Sequence, residues 1–397
     1  MSYDLTAFTE EFWARQMQVI FFKENVAIAL ANTDFREILN AGDTLNKPYR
    51  SHLVVKTYTK ATDIVSQDVS GTNEQLSVNT AKVVPFYVDD IDALQNKWDM
   101  AMQYASDAQR MLNNVLDQVI AGEYSNATSD VDDGDVGGTD GSAIAITTSN
   151  IQQVFTAASR KLDQLNIPQR ERFALIGPRI LEVIRLYIGG KDTAAADLIG
   201  DNGKVMERFG FKLYYSNNLA FTATWTPIDN PTNAATISIA GVDVTFVDTI
   251  GTTAGNCHIG GTTAATLDNL VNLLTGIGGG TAGTDYVEFS DANRYKLQSA
   301  GIVATDGTTT LGIVGYGDIV VATSEALDLW SVQYQHMLCG MKGATDLVIQ
   351  KTPNVEFRKA EKRLGRYVYP WMLYGYKTFA DMKDALVDVK IDASSWT

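Results

Sequence analysis

Cysteine is almost missing from this chain: 397 residues hold two, Cys257 and Cys339, in different regions. Two distant thiols build no disulfide framework, so a reducing compartment and buried free thiols are the expectation. Histidine is scarce too, with His52, His258 and His336 alone, few for metal or acid–base work. Positive charge is also short, because 32 Lys and Arg face 47 Asp and Glu, giving a net charge of -15. A chain of that balance is a poor candidate for gripping phosphate backbones through broad basic surfaces. There is no apolar run of about 18 residues for a membrane helix. The opening MSYDLTAFTEEFWARQ lacks the basic-then-apolar order of a signal peptide. The expectation is a protein made and kept in the cytoplasm, with no membrane partner.

Several chemical motifs fail on inspection. No G-x-S-x-G nucleophile elbow occurs. GIGGG at Gly276 to Gly280 follows a helical pattern and lacks the Lys of a phosphate loop, so it reads as a helix stop. Ser129 to Asp140 is rich in aspartate, yet Asp130 and Asp132 are followed by Gly134 where a calcium loop needs its third ligand. No catalytic residue, metal site or cofactor is assigned, and the chain is read as non-enzymatic.

With 45% apolar residues the chain can bury one large core or several smaller ones. Residues 8 to 40 place Phe12, Met17, Ile20, Phe21, Val26 and Leu30 on amphipathic helical faces. Pro48 to Lys60 alternates like a strand, and Leu76, Val78, Thr80, Val84, Phe86 and Val88 form another, with polar Asp63 to Gln75 between them. That two-stranded excursion is polar on much of both faces and cannot bury itself. From Asp90 to Ile120, Leu94, Trp98, Met102, Ala105, Leu112, Val115 and Val119 predict a helix of about 30 residues, roughly 45 Å long.

A mixed helix and strand region follows: a helix with Ser149 or Asn150 as its N-cap that stops before Pro168, a buried strand at Phe173 to Ile176, a helix near Pro178, and a strand in Gly210 to Ala220. From Thr222 to Thr323 the composition turns to Thr, Gly and Ala and nearly loses basic residues, which marks an insertion. Within it ATISIAG and VDVTFVD predict a hairpin, ATLDNLVNLLTG a helix, and CHIG, YVEFS and TLGIVGY strands. ALDLWSVQYQHML then predicts a helix, and VEFRKAEKRLGRYVY and ALVDVKID close the chain as strands.

Asp89, Asp90 and Asp92 sit where strand period gives way to helix period. An acid-site hydrolase or metal centre would recruit further ligands at fixed spacing, whereas aspartates at a helix start accept bonds from free backbone NH groups. Helix capping is the expected role. Two basic sets stand out in the acidic chain: Lys47, Arg50, Lys56 and Lys60, and Arg358, Lys359, Lys362, Arg363 and Arg366. Each is either a solvated strand face or a contact with acidic surfaces on neighbouring subunits.

In their order, NTDFREILNAGDTLNKP, SVNTAKVVPFYVDDIDALQ and ASRKLDQLNIPQRERFALIGPRI resemble the major capsid protein of tailed bacteriophages, over about 8–220 and 324–395. The resemblance implies an α+β fold: an N-terminal arm (1–43), an extended β-hairpin loop (44–88), a peripheral domain with a spine helix (89–149) and an axial domain (150–221). An inserted β-rich domain (222–323), an axial return (324–345) and peripheral C-terminal strands (346–397) complete it. It also implies hexamers and pentamers of one chain in an icosahedral head enclosing DNA without sequence-specific binding. Scaffolding, portal and possibly decoration proteins would be partners. A tail-tube or baseplate protein is the alternative, sharing the Gly/Thr-rich segment but not needing the spine helix.

Overall fold

The computed structural model describes residues 22–36, 44–50, 53–95, 100–191, 207–276, 280–325, 330–361 and 363–394. Of the helices expected over residues 8–40, residues 8–21 and 37–40 lie outside them, whereas 22–36 holds no α-helix but the short 3-10 turns Ala27–Leu30 and Asp34–Arg36; His52, Trp98 and Lys362 also lie outside.

The central element is a nine-stranded sheet. Its path runs Val303–Asp306, Leu311–Tyr316, Ala220–Trp225, Trp330–Met341, Arg172–Ile176, Phe211–Tyr215 and Glu207–Arg208. Leu386–Asp392 joins it by pairing with Trp330–Met341, and Ser129–Val131 pairs in turn with Leu386–Asp392. Every residue of Arg172–Ile176 is buried, as expected of an interior strand.

Helices cover this sheet through apolar stripes. Ile151–Gln164 buries Ile151, Val154, Phe155, Ala158 and Leu162 at three- and four-residue spacing. Its Asn150 turns the chain into the helix by accepting from Thr147 N at 2.8 Å and donating to Ala145 O at 2.9 Å. Pro178–Gly189 starts on proline, where the missing N–H has no helical partner to lose. Met100–Ala121 buries Ala105, Ala108, Leu112, Leu116 and Ile120. The longer stripe expected from the sequence is only partly buried, since Leu94 is 86% and Met102 59% exposed. Helix is described over Asp90–Gln95 and Met100–Ala121, and residues 96–99 between them lie outside the described residues.

Three expected elements are corrected. ALDLWSVQYQHML is not helical where described: Trp330–Met341 is a strand, held between Ala220–Trp225 and Leu386–Asp392. Pro48 to Lys60 is a strand only as far as Arg50, because nothing among the described residues offers 53–60 a ladder partner. YVEFS likewise makes only isolated bridges at Tyr286.

Residues 222–323 build a second core. Trp225, Ile237, Val244, Phe246, Leu267, Leu270, Leu311 and Ile313 are all buried in it, and each full burial contributes roughly 1.5–3 kcal/mol. The hairpin Thr236–Ile239 and Val242–Val247 turns through Ala240 and Gly241, both at positive φ, the two-residue turn whose twist matches paired strands. Thr263–Thr275 is capped by Thr262 Oγ1, which accepts from Ala265 N at 3.2 Å, and stops at left-handed Gly276. Two strands of this segment, Val303–Asp306 and Leu311–Tyr316, extend the central sheet.

Asp346–Lys359 and Gly365–Lys377 form a long hairpin, joined by Thr80–Val83 and Phe86–Asp89. Its ladder slips between Ile349 and Asn354, beside Pro353, which has no N–H to donate.

Candidate assembly surfaces

The excursion at 44–88 is anchored only at its root. Thr44–Arg50 pairs antiparallel with Gly71–Ser77, from Thr44 opposite Ser77 to Arg50 opposite Gly71. Leu76 and Val78 bury against Val348 and Phe379, a small cluster beside the long hairpin. Lys47 Nζ lies 3.3 Å from Asp381 Oδ2 and 4.6 Å from the Phe379 ring centre, and Asp346 is at 4.0 Å. Burial pushes the Asp346 carboxyl upward, partly countered by the Asn32 amide that donates to it at 2.7 Å.

Past Arg50 the support ends. Residues 53–58 and 64–69 run side by side through two side-chain bonds, Lys56 Nζ to Val65 O and Val54 N to Gln67 Oε1, both 3.0 Å. Val55 is 98% exposed, Ile64 80%, and Leu53, Val54, Tyr58, Val65 and Val69 are also largely in solvent. Seven large apolar side chains on one unsupported stretch form the sort of surface that marks a contact with another molecule.

The cations expected at such contacts divide. Lys47 is engaged inside its own chain, and Lys56 spends its ammonium on the loop backbone. Arg358 lies 3.5 Å from Glu356, and Arg366 3.9 Å from Asp90. Arg50, Lys60, Lys359 and Arg363 are exposed and make no ion pair among the described residues. Glu356, the carboxylate at the hairpin's irregular stretch, accepts from Lys351 Nζ and Trp371 Nε1, both at 2.7 Å. The Lys351 bond, then the Trp371 bond, hold its carboxyl down to about 2.

At the aspartates, Asp89 Oδ1 accepts from Ile91 N at 2.9 Å, just ahead of the Asp90–Gln95 helix, and Tyr87 hydroxyl also donates to Asp89. Asp90 faces Arg366; the Asp92 side chain lies outside the described set. In the Ser129 to Asp140 loop the carboxylates serve the backbone. Asp132 accepts from Gly134 N at 3.0 Å and Gly141 N at 2.7 Å, and Asp133 accepts from Thr139 N at 2.9 Å. Among the described residues no group of three or more His, Cys, Asp or Glu is placed to hold a metal ion. None of their helices is long and apolar enough to cross a membrane.

Space brings together one set that the sequence keeps apart. His336 Nδ1 is 2.8 Å from Asp388 Oδ2, its Nε2 is 2.9 Å from Thr222 Oγ1, and its ring stacks on Tyr124 at 3.8 Å. Thr222 sits mid-strand with neighbours paired on both sides, so the chain of bonds is a satisfied polar bridge across three strands. Burial, then the Asp388 charge, pushes the Tyr124 hydroxyl up to about 12.

Asp117 is the buried group the sequence reading passed over. Its Oδ1 accepts from Val26 N at 2.8 Å and Ala27 N at 2.5 Å, and its Oδ2 from Asn218 Nδ2 at 2.9 Å. One carboxylate on the long helix thus holds the 22–36 segment and the turn before Ala220–Trp225. Nearby Lys23 donates to Tyr316 O at 2.8 Å, and burial lowers its amine to about 8.

No family model matches the chain, and no curated protein matches it in sequence. Solved structures do match in fold. A structure from Mycobacterium phage Che8 superposes with a TM-score of 0.59 at 14% identity, covering 96% of both chains. The capsid structure of Cyanophage P-SCSP1u gives 0.54 at 13% identity, over 99% of this chain and 95% of that one. The mature capsid of bacteriophage PhiM1 gives 0.50 at 11%, over 96% and 92%. The chain has the α+β fold of tailed-phage major capsid proteins.

Proposed function

We propose that this chain is the major capsid subunit of a tailed phage, a structural protein without enzymatic activity. It assembles as hexamers and pentamers into an icosahedral head that encloses double-stranded DNA. The observation that carries this is the 53–69 stretch, which exposes seven large apolar side chains beyond a root anchored by Leu76, Val78 and Lys47. Such a stretch gains a partner when it lies across another subunit, and closed symmetry multiplies modest contacts into a stable particle.

In this reading 1–43 is the arm, 44–88 the extended loop, 89–149 and 346–397 the peripheral domain, 150–221 with 324–345 the axial domain, and 222–323 the inserted domain. The net charge of -15 suits a wall along which DNA must move during packing. Arg50, Lys60, Lys359 and Arg363 are the cations left for contacts between subunits, and scaffolding, portal and decoration proteins complete the assembly in the host cytoplasm. Electron microscopy of the purified protein, alone and co-expressed with scaffolding candidates from neighbouring genes, tests this. Closed shells, or free hexamers and pentamers, are expected. Stacked rings or tubes would point to a tail protein, and a uniform monomer under every condition would refute the assembly.

A further inference from the structure

A cavity of about 480 Å³ lies where the end of Met100–Ala121 meets the end of Gly365–Lys377. Its volume falls in the usual range for binding pockets, about 300–1,000 Å³. The wall is polar and drawn from separate parts of the chain: Glu123 and Asn126 from the short 3-10 turn after the long helix, Tyr316 from the end of its strand, Tyr376 from the long hairpin, and Lys383.

The carboxylates of this wall are already engaged. Glu123, 4% exposed, accepts from the Thr378 hydroxyl and from Asn126 Nδ2 at 3.1 Å. Glu74 accepts from Ala380 N at 3.2 Å and lies 3.8 Å from Lys377, so these two charges offset each other. The donors are not engaged. Among the described residues the Lys383 ammonium is in no ion pair, and the Tyr316 and Tyr376 hydroxyls are in no hydrogen bond. Burial first, then neighbouring charge, pushes both phenols upward, so they keep their protons and offer O–H groups.

We propose that this cavity binds an oxyanion of the phosphate or sulfate class, held by the Lys383 ammonium and the Tyr316 and Tyr376 hydroxyls. Three unengaged donors from three elements around one cavity suit a ligand with several acceptor oxygens, and Lys383 supplies the opposite charge. Glu123 sets when the site is open. Burial pushes its carboxyl upward, countered in part by the Thr378 and Asn126 bonds and the Lys383 charge. The other titratable groups of the wall are Tyr316, Tyr376, Lys377 and Glu74. Ionised, Glu123 repels an anion; protonated, it leaves the Lys383 charge unopposed. An entering anion therefore draws a proton onto Glu123, and binding tightens as pH falls. The site belongs to the single subunit and is independent of the shell reading.

Calorimetric titration of the full chain with sulfate, whose charge is constant between about pH 5.5 and about pH 8, tests this. Saturable binding to one site is expected, tighter at the acid end. Lys383→Ala should weaken it about tenfold or more, and Tyr376→Phe, which removes a single oxygen from a residue 40% exposed, about fivefold. Glu123→Gln should bind equally well at both ends of the range, a change in pH profile that a purely structural role would not produce. The same titration with inorganic phosphate and with thymidine 5′-monophosphate separates a free oxyanion from the phosphate group of a nucleotide; saturable binding of either supports the site, and the tighter one identifies the source. No saturable binding of any of the three, or equal affinity in the unaltered, Lys383→Ala and Tyr376→Phe chains, overturns the proposal.

Discussion

Residues 44–88 and 222–323 handle burial in opposite ways. The 222–323 segment buries its large side chains, with Trp225, Phe246 and Leu270 each at 0 or 1% exposure, and shares strands with the central sheet. The excursion buries Leu76 and Val78 at its root and leaves Val55 at 98% exposure at its outer part. One region buries its apolar side chains within a core, and the other leaves them in solvent. On the proposed function, part of the stabilisation of that loop comes from assembly and not from the subunit.

Substitutions separate these two kinds of region, and the largest effect belongs to the self-contained one. Trp225→Ala or Phe246→Ala should cost the isolated subunit about 3–5 kcal/mol in denaturant titration. A loss under 1 kcal/mol would mean the segment has no independent core. Asp117→Ala comes next, at about 2–3 kcal/mol, because it leaves the Val26 and Ala27 N–H groups without their acceptor and removes one of the two acceptors of the Asn218 amide, whose bond to Asn114 remains. Limited proteolysis should then cut first within 22–36. Asp89→Ala should cost only about 1 kcal/mol as a lost cap, read as a small fall in melting temperature. Val55→Asp should leave subunit stability within about 0.5 kcal/mol, yet reduce closed particles.

Acid gives a further contrast on the long hairpin. The Glu356 carboxyl is depressed from 4.5 to about 2, chiefly by Lys351 and then Trp371. A depressed carboxyl stabilises the fold above its ordinary value and loses that contribution as pH falls through about 2. Trp371 fluorescence should therefore hold steady down to pH 4.5 and change only on approach to about 2, whereas Glu356→Gln should show no such step.

Local patterns carried much of this fold. The helix at Ile151–Gln164, the hairpin at Thr236–Val247 and the helix at Thr263–Thr275 each have their period and their start or turn signals within a few residues, so the sequence alone places them. Trp330–Met341 was misread because a strand buried between neighbours has no alternation to distinguish it from a short buried helix. At 53–60 the alternation was present, but strand formation needs a partner for its backbone groups, which lies outside the segment. Asp117 and the His336–Asp388 bridge left no local signal, since their partners are 90 and 52 residues away. That the excursion cannot bury itself was legible in its polar faces, but the apolar side chains it leaves in solvent at 53–69 were not.

Hydrogen exchange measured on the free subunit and on assembled particles tests the central claim most directly. The account predicts that amides of 53–69 exchange fast in the subunit and slow by about a hundredfold in the particle, while those of Val242–Val247 are protected in both. Equal, fast exchange of 53–69 in both states would contradict it, because the loop would then have no partner in the shell.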